Sequence, residues 1–174
     1  MAGTRLYFNV ADGAPSVSPA VSASWDETHS GFSRWKLDPT KGSVGNDSGE
    51  YFETNGSAFY CCKWQFISEP MESGTYGFSG NLFQMICAEA PSGTNAKFHL
   101  IVRKCDQDGS NPTDIGRIYG KTEYDSAVLT NRGKISTDDT TSTSFSAGDR
   151  LIIEVGTFYN NTKTTSYNAD ERIR

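Results

Sequence analysis

The chain has 174 residues, a formal net charge of −5 and a pI of about 5.0. Its lysines and arginines are scattered, so the acidic balance argues against a nucleic-acid surface and against binding to an anionic membrane. Only 36% of the residues are hydrophobic, but 12% are aromatic and 17 are glycines. Length and composition together predict one domain, residues 1–174, built from short strands joined by polar turns.

The first eight residues, Met1 to Phe8, contain no apolar core of signal-peptide length. No apolar run elsewhere approaches the ~20 residues that a membrane-spanning helix needs. We therefore expect synthesis in a cytoplasm and no membrane partner.

The cysteines show no metal-binding spacing. They are Cys61, Cys62, Cys87 and Cys105, and no CxxC pair occurs among them. A zinc site is therefore poorly supported. Cys61 and Cys62 are adjacent, so we expect them on opposite faces of one strand, and we expect buried free thiols.

The first half of the chain predicts a series of strands separated by turn-forming residues. They fall at residues 4–10, 32–37, 58–67, 75–88 and 97–104. Residues 16–24 are small, β-branched or proline, which indicates a connection over the surface that Trp25 pins down. The strands at 75–88 and 97–104 predict an antiparallel hairpin.

Alternation along these strands predicts which side chains share a face. Trp35 and Leu37 fall together on the second strand. The third strand places four side chains on one face: Tyr60, Cys62, Trp64 and Phe66. The fifth strand turns three side chains inward: Phe98, Leu100 and Val102.

The polar segment Asp38 to Glu50 lies between two of these strands. It contains Pro39 and three glycines and predicts a loop of at least a dozen residues. Loops of this length are often functional. We regard it as a candidate for partner contact, with a merely solvated loop as the alternative.

The second half contains the stretch around which we expect the fold to be organised, Ala147 to Tyr159. Gly148-Asp149 forms a turn, and a proline-free run of β-branched and aromatic residues follows. One face is wholly apolar, with Leu151, Ile153 and Val155, while Glu154 lies on a mixed face. These features predict a central strand with one face in the core.

Shorter elements surround this central strand. Turns or loops are predicted at residues 106–114 and 138–147. Further short strands are predicted at residues 115–119, 126–130 and 133–136, and a last strand at residues 164–173.

Strand spacings near ten residues, with no sustained apolar repeat at helical spacing, predict an all-β fold. The expected architecture is an antiparallel, jelly-roll-like β-sandwich of about eight to ten strands.

Histidines and carboxylates show no clear catalytic constellation. His29 lies in a predicted polar loop and His99 on the strand face opposite Leu100, and the chain has no nucleophile elbow. Carboxylates that could pair for glycoside hydrolysis are Glu89, Glu123, Asp149 and Glu154. Glu154 stands out because it lies in the central strand, although an outward position on the mixed face is the simpler expectation. We therefore predict no catalytic residue and no enzyme.

Two further ligand classes need weighing. Oxygen ligands for Ca²⁺ could come from Asp106, Asp108, Asn111 and Asp114. Their spacing departs from an EF-hand loop and the same residue types form ordinary turns, so we expect a turn and no metal or cofactor.

Aromatics that could bind a sugar are Trp25, Trp35, Tyr51, Phe52 and Tyr159, most of which we expect in the core.

Two groups of residues carry a resemblance to a known family. One is Thr4–Phe8, followed by Val17–Ala20 and Trp25; the other is Ala147–Gly156, followed by Thr164–Tyr167. In this order they resemble a family of small tailed-bacteriophage virion proteins with predicted β-sandwich folds. The resemblance implies a structural protein located in the virion and carries no catalytic residue to this chain.

The resemblance also implies one more strand after the last strand predicted here. A sandwich that lacks it would have an open edge, and an open edge can accept a strand from a neighbour. We therefore expect a homo-oligomer.

These observations favour a non-enzymatic capsid decoration (cement) protein. Its partners would be the major capsid protein or other virion proteins, reached through residues 38–50 and the segment that leads to Trp25. The alternative is a tail- or fibre-associated module that binds a host carbohydrate.

Overall fold

The structure, a computed structural model, describes residues 6–8, 13–39, 46–53, 58–77, 82–90, 96–119, 130–136, 142–159 and 167–173. These residues form twelve strands and no helix, which confirms the all-β prediction. In chain order the strands are β1 (Tyr7–Phe8), β2 (Glu27–Asp38), β3 (Asn46–Glu53), β4 (Phe59–Ser68), β5 (Gly74–Tyr76), β6 (Leu82–Ala90), β7 (Ala96–Cys105), β8 (Thr113–Tyr119), β9 (Thr130–Ser136), β10 (Thr143–Phe145), β11 (Arg150–Tyr159) and β12 (Tyr167–Ile173).

The strands form three sheets. Six strands, in the order β1-β2-β4-β11-β7-β8, make a sheet that curls into a half barrel. β10 and β5 form a two-stranded ribbon, and β3-β12-β6-β9 form a four-stranded sheet.

One strand pair is parallel, so a wholly antiparallel fold was the wrong prediction. β2 and β4 run in the same direction, whereas every other pair among the described strands is antiparallel. The intervening strand β3 belongs to the four-stranded sheet. The chain therefore leaves the six-stranded sheet after β2 and enters it again as β4, a crossover that parallel strands require.

β11 is the central strand, as predicted. It pairs with β4 on one side and with β7 on the other, and residues 151–157 are all buried. Both of its faces are covered, however, so the prediction of a single core face was wrong.

The first face of the six-stranded sheet carries the main core. It contains Leu151, Ile153 and Val155 from β11, and Phe145 from the two-stranded ribbon packs against the same cluster. Leu37 and Trp35 both pack in this cluster, as predicted. Leu100 and Val102 also belong to it, which confirms two of the three residues predicted to point inward; the side chain of Phe98 lies outside the described residues.

The second face is covered by residues 13–26, which we call the strap. The strap contains no strand. Two smaller clusters lie under it, one around Trp25, Cys62 and Ile101 and one around Ile67 and Ile152. Trp25 is only 7% exposed, so its predicted anchoring role is confirmed.

A β-bulge in β4 changes the predicted faces of this strand. Val155 pairs with Trp64 but Gly156 pairs with Cys62, so Lys63 is an extra residue between them. An extra residue reverses the alternation of side chains. Trp64 lies on the first face and Cys62 on the second, and the prediction of one shared face was wrong. Cys61 and Cys62 do point to opposite faces, as expected.

The predicted strand at 75–88 is two separate elements. β5 ends at Tyr76 and pairs with β10, whereas β6 begins at Leu82 and pairs with β12 and β9. The residues between them, Gly-Phe-Ser-Gly-Asn, include two glycines and an asparagine, which have low strand propensity. The predicted hairpin with the next strand was wrong as well, because β7 belongs to the six-stranded sheet.

Other predicted boundaries shift by a few residues. Residues 46–50 of the expected 38–50 loop belong to β3, and residues 40–45 lie outside the described residues. His29 lies in β2, not in a loop. Part of the expected 138–147 loop is β10. Of the predicted strand at 126–130, only Thr130 is described, and it begins β9.

Gly156 should be essential for this packing. A Cβ atom there would overlap the backbone carbonyl oxygen of Cys61 and lie 2.8 Å from the ring of Trp25. We expect Gly156→Ala to lower the free energy of unfolding by at least about 2 kcal/mol, because the clash involves backbone. Urea denaturation measures the change.

Gly74→Ala is the matched control, because its nearest neighbour would be the Tyr76 ring at 3.6 Å, an ordinary contact. Equal effects of the two substitutions would contradict the packing described for Gly156.

Candidate functional site

The strap crosses the second sheet face without forming a ladder of backbone hydrogen bonds. Its prolines, Pro15 and Pro19, have no N–H group to donate to such a ladder. Val17 packs beside Ile67 and Ile152, while Ser22 is only 5% exposed. The strap is therefore held at separate points by side chains that rise from the sheet.

Glu154 is the main anchor. Its side chain is fully buried, and the Ser22 N–H group donates to both carboxylate oxygens at 3.1 and 3.2 Å. Trp25 Nε1 donates at 2.7 Å, Gln65 Nε2 at 2.9 Å and Arg103 Nη1 at 2.7 Å. The expected outward position of Glu154 was wrong, because the strap covers the face on which it lies.

Arg103 supplies the counter-charge. It is 4% exposed, and besides Glu154 it donates to the carbonyl oxygen of Ala20 at 2.6 Å and to Asp114 Oδ1 at 2.8 Å. One guanidinium thus connects the central strand, the strap and the edge strand β8. We call Glu154, Arg103, Gln65, Ser22 and Trp25 the latch.

Three more arginines of the sheet hold the strap. Arg34 donates to Gln65 Oε1 at 2.8 Å and to the carbonyl oxygen of Pro19 at 3.3 Å. Arg150 donates to Ser16 Oγ at 3.3 Å, and Arg117 donates to Ser24 Oγ. With Arg103, four arginines therefore bind the strap through backbone carbonyls or hydroxyl groups.

The buried negative charge of Glu154 in the latch is compensated by a cation and by hydrogen-bond donors. A buried carboxylate is strongly unfavourable unless it is paired and hydrogen-bonded. Glu154 has a cation at 2.7 Å, and neutral donors contact both of its oxygens. This arrangement suits a structural anchor, because the carboxylate has no exposed surface through which it could reach a substrate.

The remaining candidate acids and histidines are distributed over separate places. Asp149 accepts a hydrogen bond from the Ser146 N–H group at 2.8 Å and lies 3.5 Å from Lys104 Nζ, so it closes the turn before β11. His29 Nδ1 accepts from the Gly31 N–H group at 2.9 Å. The side chain of Glu89 and all of Glu123 lie outside the described residues.

Residues 106–112 form a turn, as expected, but Thr113 and Asp114 already belong to β8. Asp106 Oδ2 accepts from Asn111 Nδ2 at 2.7 Å, and Gly109 has a φ of +88°. Two hydrogen bonds from Ser110 to the Asp108 carboxylate hold the pKa of that carboxyl below its usual value. Asp114 instead faces Arg103. Within the ranges that the structure describes, no three His, Cys, Asp or Glu side chains are placed to hold a metal ion.

The aromatic side chains considered for sugar binding are mostly unsuited or lie outside the description. Trp25 is buried and donates to Glu154, and Trp35 is half-buried against the main core. The side chains of Tyr51, Phe52 and Tyr159 lie outside the described residues.

Sequence reasoning missed most of the latch, although a signal was present. Gln65 and Glu154 each interrupt a run of apolar residues, and Arg103 directly follows such a run, Leu100–Val102. In the sheet Glu154 pairs with Gln65 on one side and with Ile101 on the other, which brings the three polar side chains to one face. Polar residues within or next to the apolar runs of three strands could have predicted a shared buried network.

No protein-family model matches this chain, and no curated protein does either. Among the described residues there is no helix with the length and apolar character that crossing a membrane requires.

Removal of the Glu154 charge should destabilise the fold strongly. In Glu154→Gln, Arg103 loses its closest carboxylate partner in a buried site. We expect the free energy of unfolding to fall by about 3–5 kcal/mol, as when other buried ion pairs are broken. Urea denaturation followed by tryptophan fluorescence measures this change.

Glu69→Gln is the matched control. The Glu69 side chain is 63% exposed and lies 3.4 Å from Lys36 Nζ, so its loss should cost less than about 1 kcal/mol. A cost for Glu154→Gln no larger than for this control would contradict the anchoring role.

The thiols should be unreactive in the folded protein. Cys61, Cys62 and Cys105 are buried and are not in disulfides, and burial is the largest cause that raises the pKa of Cys62 and of Cys105. The thiolate is the reactive form. We expect at most one thiol, Cys87, to react with Ellman's reagent before unfolding and all four to react in denaturant.

Cys87→Ser is the control for this measurement, since the side chain of Cys87 lies outside the description. Rapid reaction of two or more native thiols would show that the strap and core do not cover them.

Proposed function

We propose that this chain is a non-enzymatic structural protein of a tailed-bacteriophage virion, and that it serves as a capsid decoration (cement) protein. One observation carries the proposal: the two groups of residues that resemble that family meet inside the domain, and a buried hydrogen bond joins them. Trp25 belongs to the first and Glu154 to the second, and Trp25 Nε1 donates to the Glu154 carboxylate at 2.7 Å. The resemblance thus falls on residues that hold the domain together.

The use of the buried charges supports a structural role. Glu154 and Arg103 form hydrogen bonds with the strap, and Arg103 also bonds to β8. A decoration protein acts by burying surface between capsid subunits, and it benefits from a body that keeps its shape while it does so. A latch that fixes a 14-residue segment to a sheet supplies such rigidity.

The contact surface is proposed to include β3 and the residues before it. β3 is an edge strand of the four-stranded sheet, and edge strands can pair with a neighbouring chain. The partners would be the major capsid protein and further copies of this chain. We also propose that the six-stranded and four-stranded sheets pack as the layers of a jelly-roll-like sandwich.

The proposal is tested on the virion itself. Purified particles should contain the chain in stoichiometric amounts, and cryo-electron microscopy should place its β-domain on the outer capsid surface. Particles that lack it should release their DNA at a lower temperature, because subunit junctions lose buried interface, and added protein should restore the original temperature. Heating with a DNA-binding dye measures the release.

Two outcomes would contradict this role. One is absence of the chain from purified particles; the other is an unchanged release temperature after its removal. Density on the tail together with a hit on a glycan array would favour the carbohydrate-binding module.

A further inference from the structure

A titratable side chain lies under the strap and takes no part in the latch. His99, on β7, is 1% exposed. The ring of Trp25 packs against its imidazole edge to face, with centroids 5.0 Å apart, and the Tyr60 ring lies at 4.8 Å on another side. Gly156 pairs with His99 across the sheet. Because Gly156 has no side chain, Trp25 can approach the backbone there.

Charged and titratable groups from four elements lie at His99 or at the rings that pack against it. Arg117 of β8 acts electrostatically on the imidazole, and Tyr60 of β4 packs against it. Cys62 of β4 and Glu154 of β11 contact Trp25, and Asp26 of the strap is bonded to Tyr60. Arg117 also donates a hydrogen bond to Ser24 Oγ in the strap. The Glu154 carboxylate is already bound to Arg103 and to three other donors, and Asp26 accepts from the Tyr60 N–H group at 2.7 Å.

We propose that the strap is acid-releasable: protonation of His99 displaces Trp25 and frees residues 13–26, while the sheet beneath remains folded.

The chemistry of the site determines the direction of this effect. Burial, and secondarily the nearby Arg117 guanidinium, lower the pKa of His99 from its ordinary 6.5 to about 4. Neutral His99 therefore stabilises the docked strap fully above pH 6.5. This contribution is lost progressively as the pH falls from 6.5 towards 4, because the released state binds the proton more tightly.

The strap can open locally because few backbone bonds hold it. Among the described residues it has one internal backbone hydrogen bond, from the Trp25 N–H group to Ser22, and one to the sheet, from Asp26 to the carbonyl oxygen of Tyr60. The main core lies on the opposite sheet face and includes no strap residue. Segments with few backbone bonds and separate packing open below the global unfolding free energy.

Hydrogen exchange on the full chain tests the proposal. Protection factors, corrected for intrinsic exchange, are compared at about pH 7.5 and about pH 5 for two sets of amides. The Ser22 and Asp26 amides report on the strap, and the Leu100 and Val155 amides report on the sheet. If the released His99 regains its ordinary pKa, strap protection should fall roughly 30-fold while sheet protection stays constant.

Two substitutions separate His99 from the other titrating groups. His99→Gln should remove the fall in strap protection, because glutamine carries no charge at either pH. His29→Gln is the matched control, since His29 is the only other histidine of the chain, and it should leave the fall unchanged.

Three results would overturn the proposal. They are equal loss of strap and sheet protection, an unchanged acid response in His99→Gln, and an imidazole NMR titration of His99 near its ordinary pKa. The NMR measurement uses the unmodified chain, so it decides the matter even where His99→Gln fails to fold.

Discussion

A carboxylate in the middle of a central strand is the constraint on which this structure depends. Glu154 has no exposed surface, and an unpaired charge there would cost more than the few kcal/mol by which a domain is usually stable. The sheet supplies Arg103 and Gln65, but these leave oxygen lone pairs unfilled. The strap supplies the Ser22 and Trp25 donors, so an irregular segment completes the hydrogen bonding of this buried charge.

Much of the strand pattern could be predicted from the sequence, because local rules decide it. β11 follows a Gly-Asp turn and is rich in β-branched and apolar residues, so both its existence and its central position were correctly predicted. The anchoring by Trp25 was predictable for a similar reason, since a tryptophan among small residues buries the largest area available. The opposite orientations of Cys61 and Cys62 follow from strand geometry alone.

The rest depends on long-range partners that no local rule shows. The bulge at Lys63 lies where β4 pairs with Val155 and Gly156 of β11, a long-range match that the sequence of β4 does not show, so alternation along β4 gave the wrong faces. The burial of Glu154 depends on a strap more than a hundred residues away in sequence. The polar residues on the second sheet face suggested that this face is exposed to solvent. The segment that covers it has no sequence pattern typical of a strand, so its position could not be predicted. The proposed role in a virion is based on the resemblance to a family. The structure adds how the residues that carry this resemblance pack inside the domain.

The distance along the chain between Ser22 and Glu154, 132 residues, has a consequence for biosynthesis. Ribosomes add residues from the amino end at roughly 5–20 per second, so the strap emerges well before its acceptor exists. During those seconds Trp25 and the flanking small residues have no complete docking site. β4 likewise has no partner on the side where β11 will pair with it. Assembly of this sheet therefore cannot be completed before β11 has been synthesised, and high contact order of this kind slows folding. A nascent chain stalled before Glu154 would present its amino-terminal part to chaperones in an unanchored state.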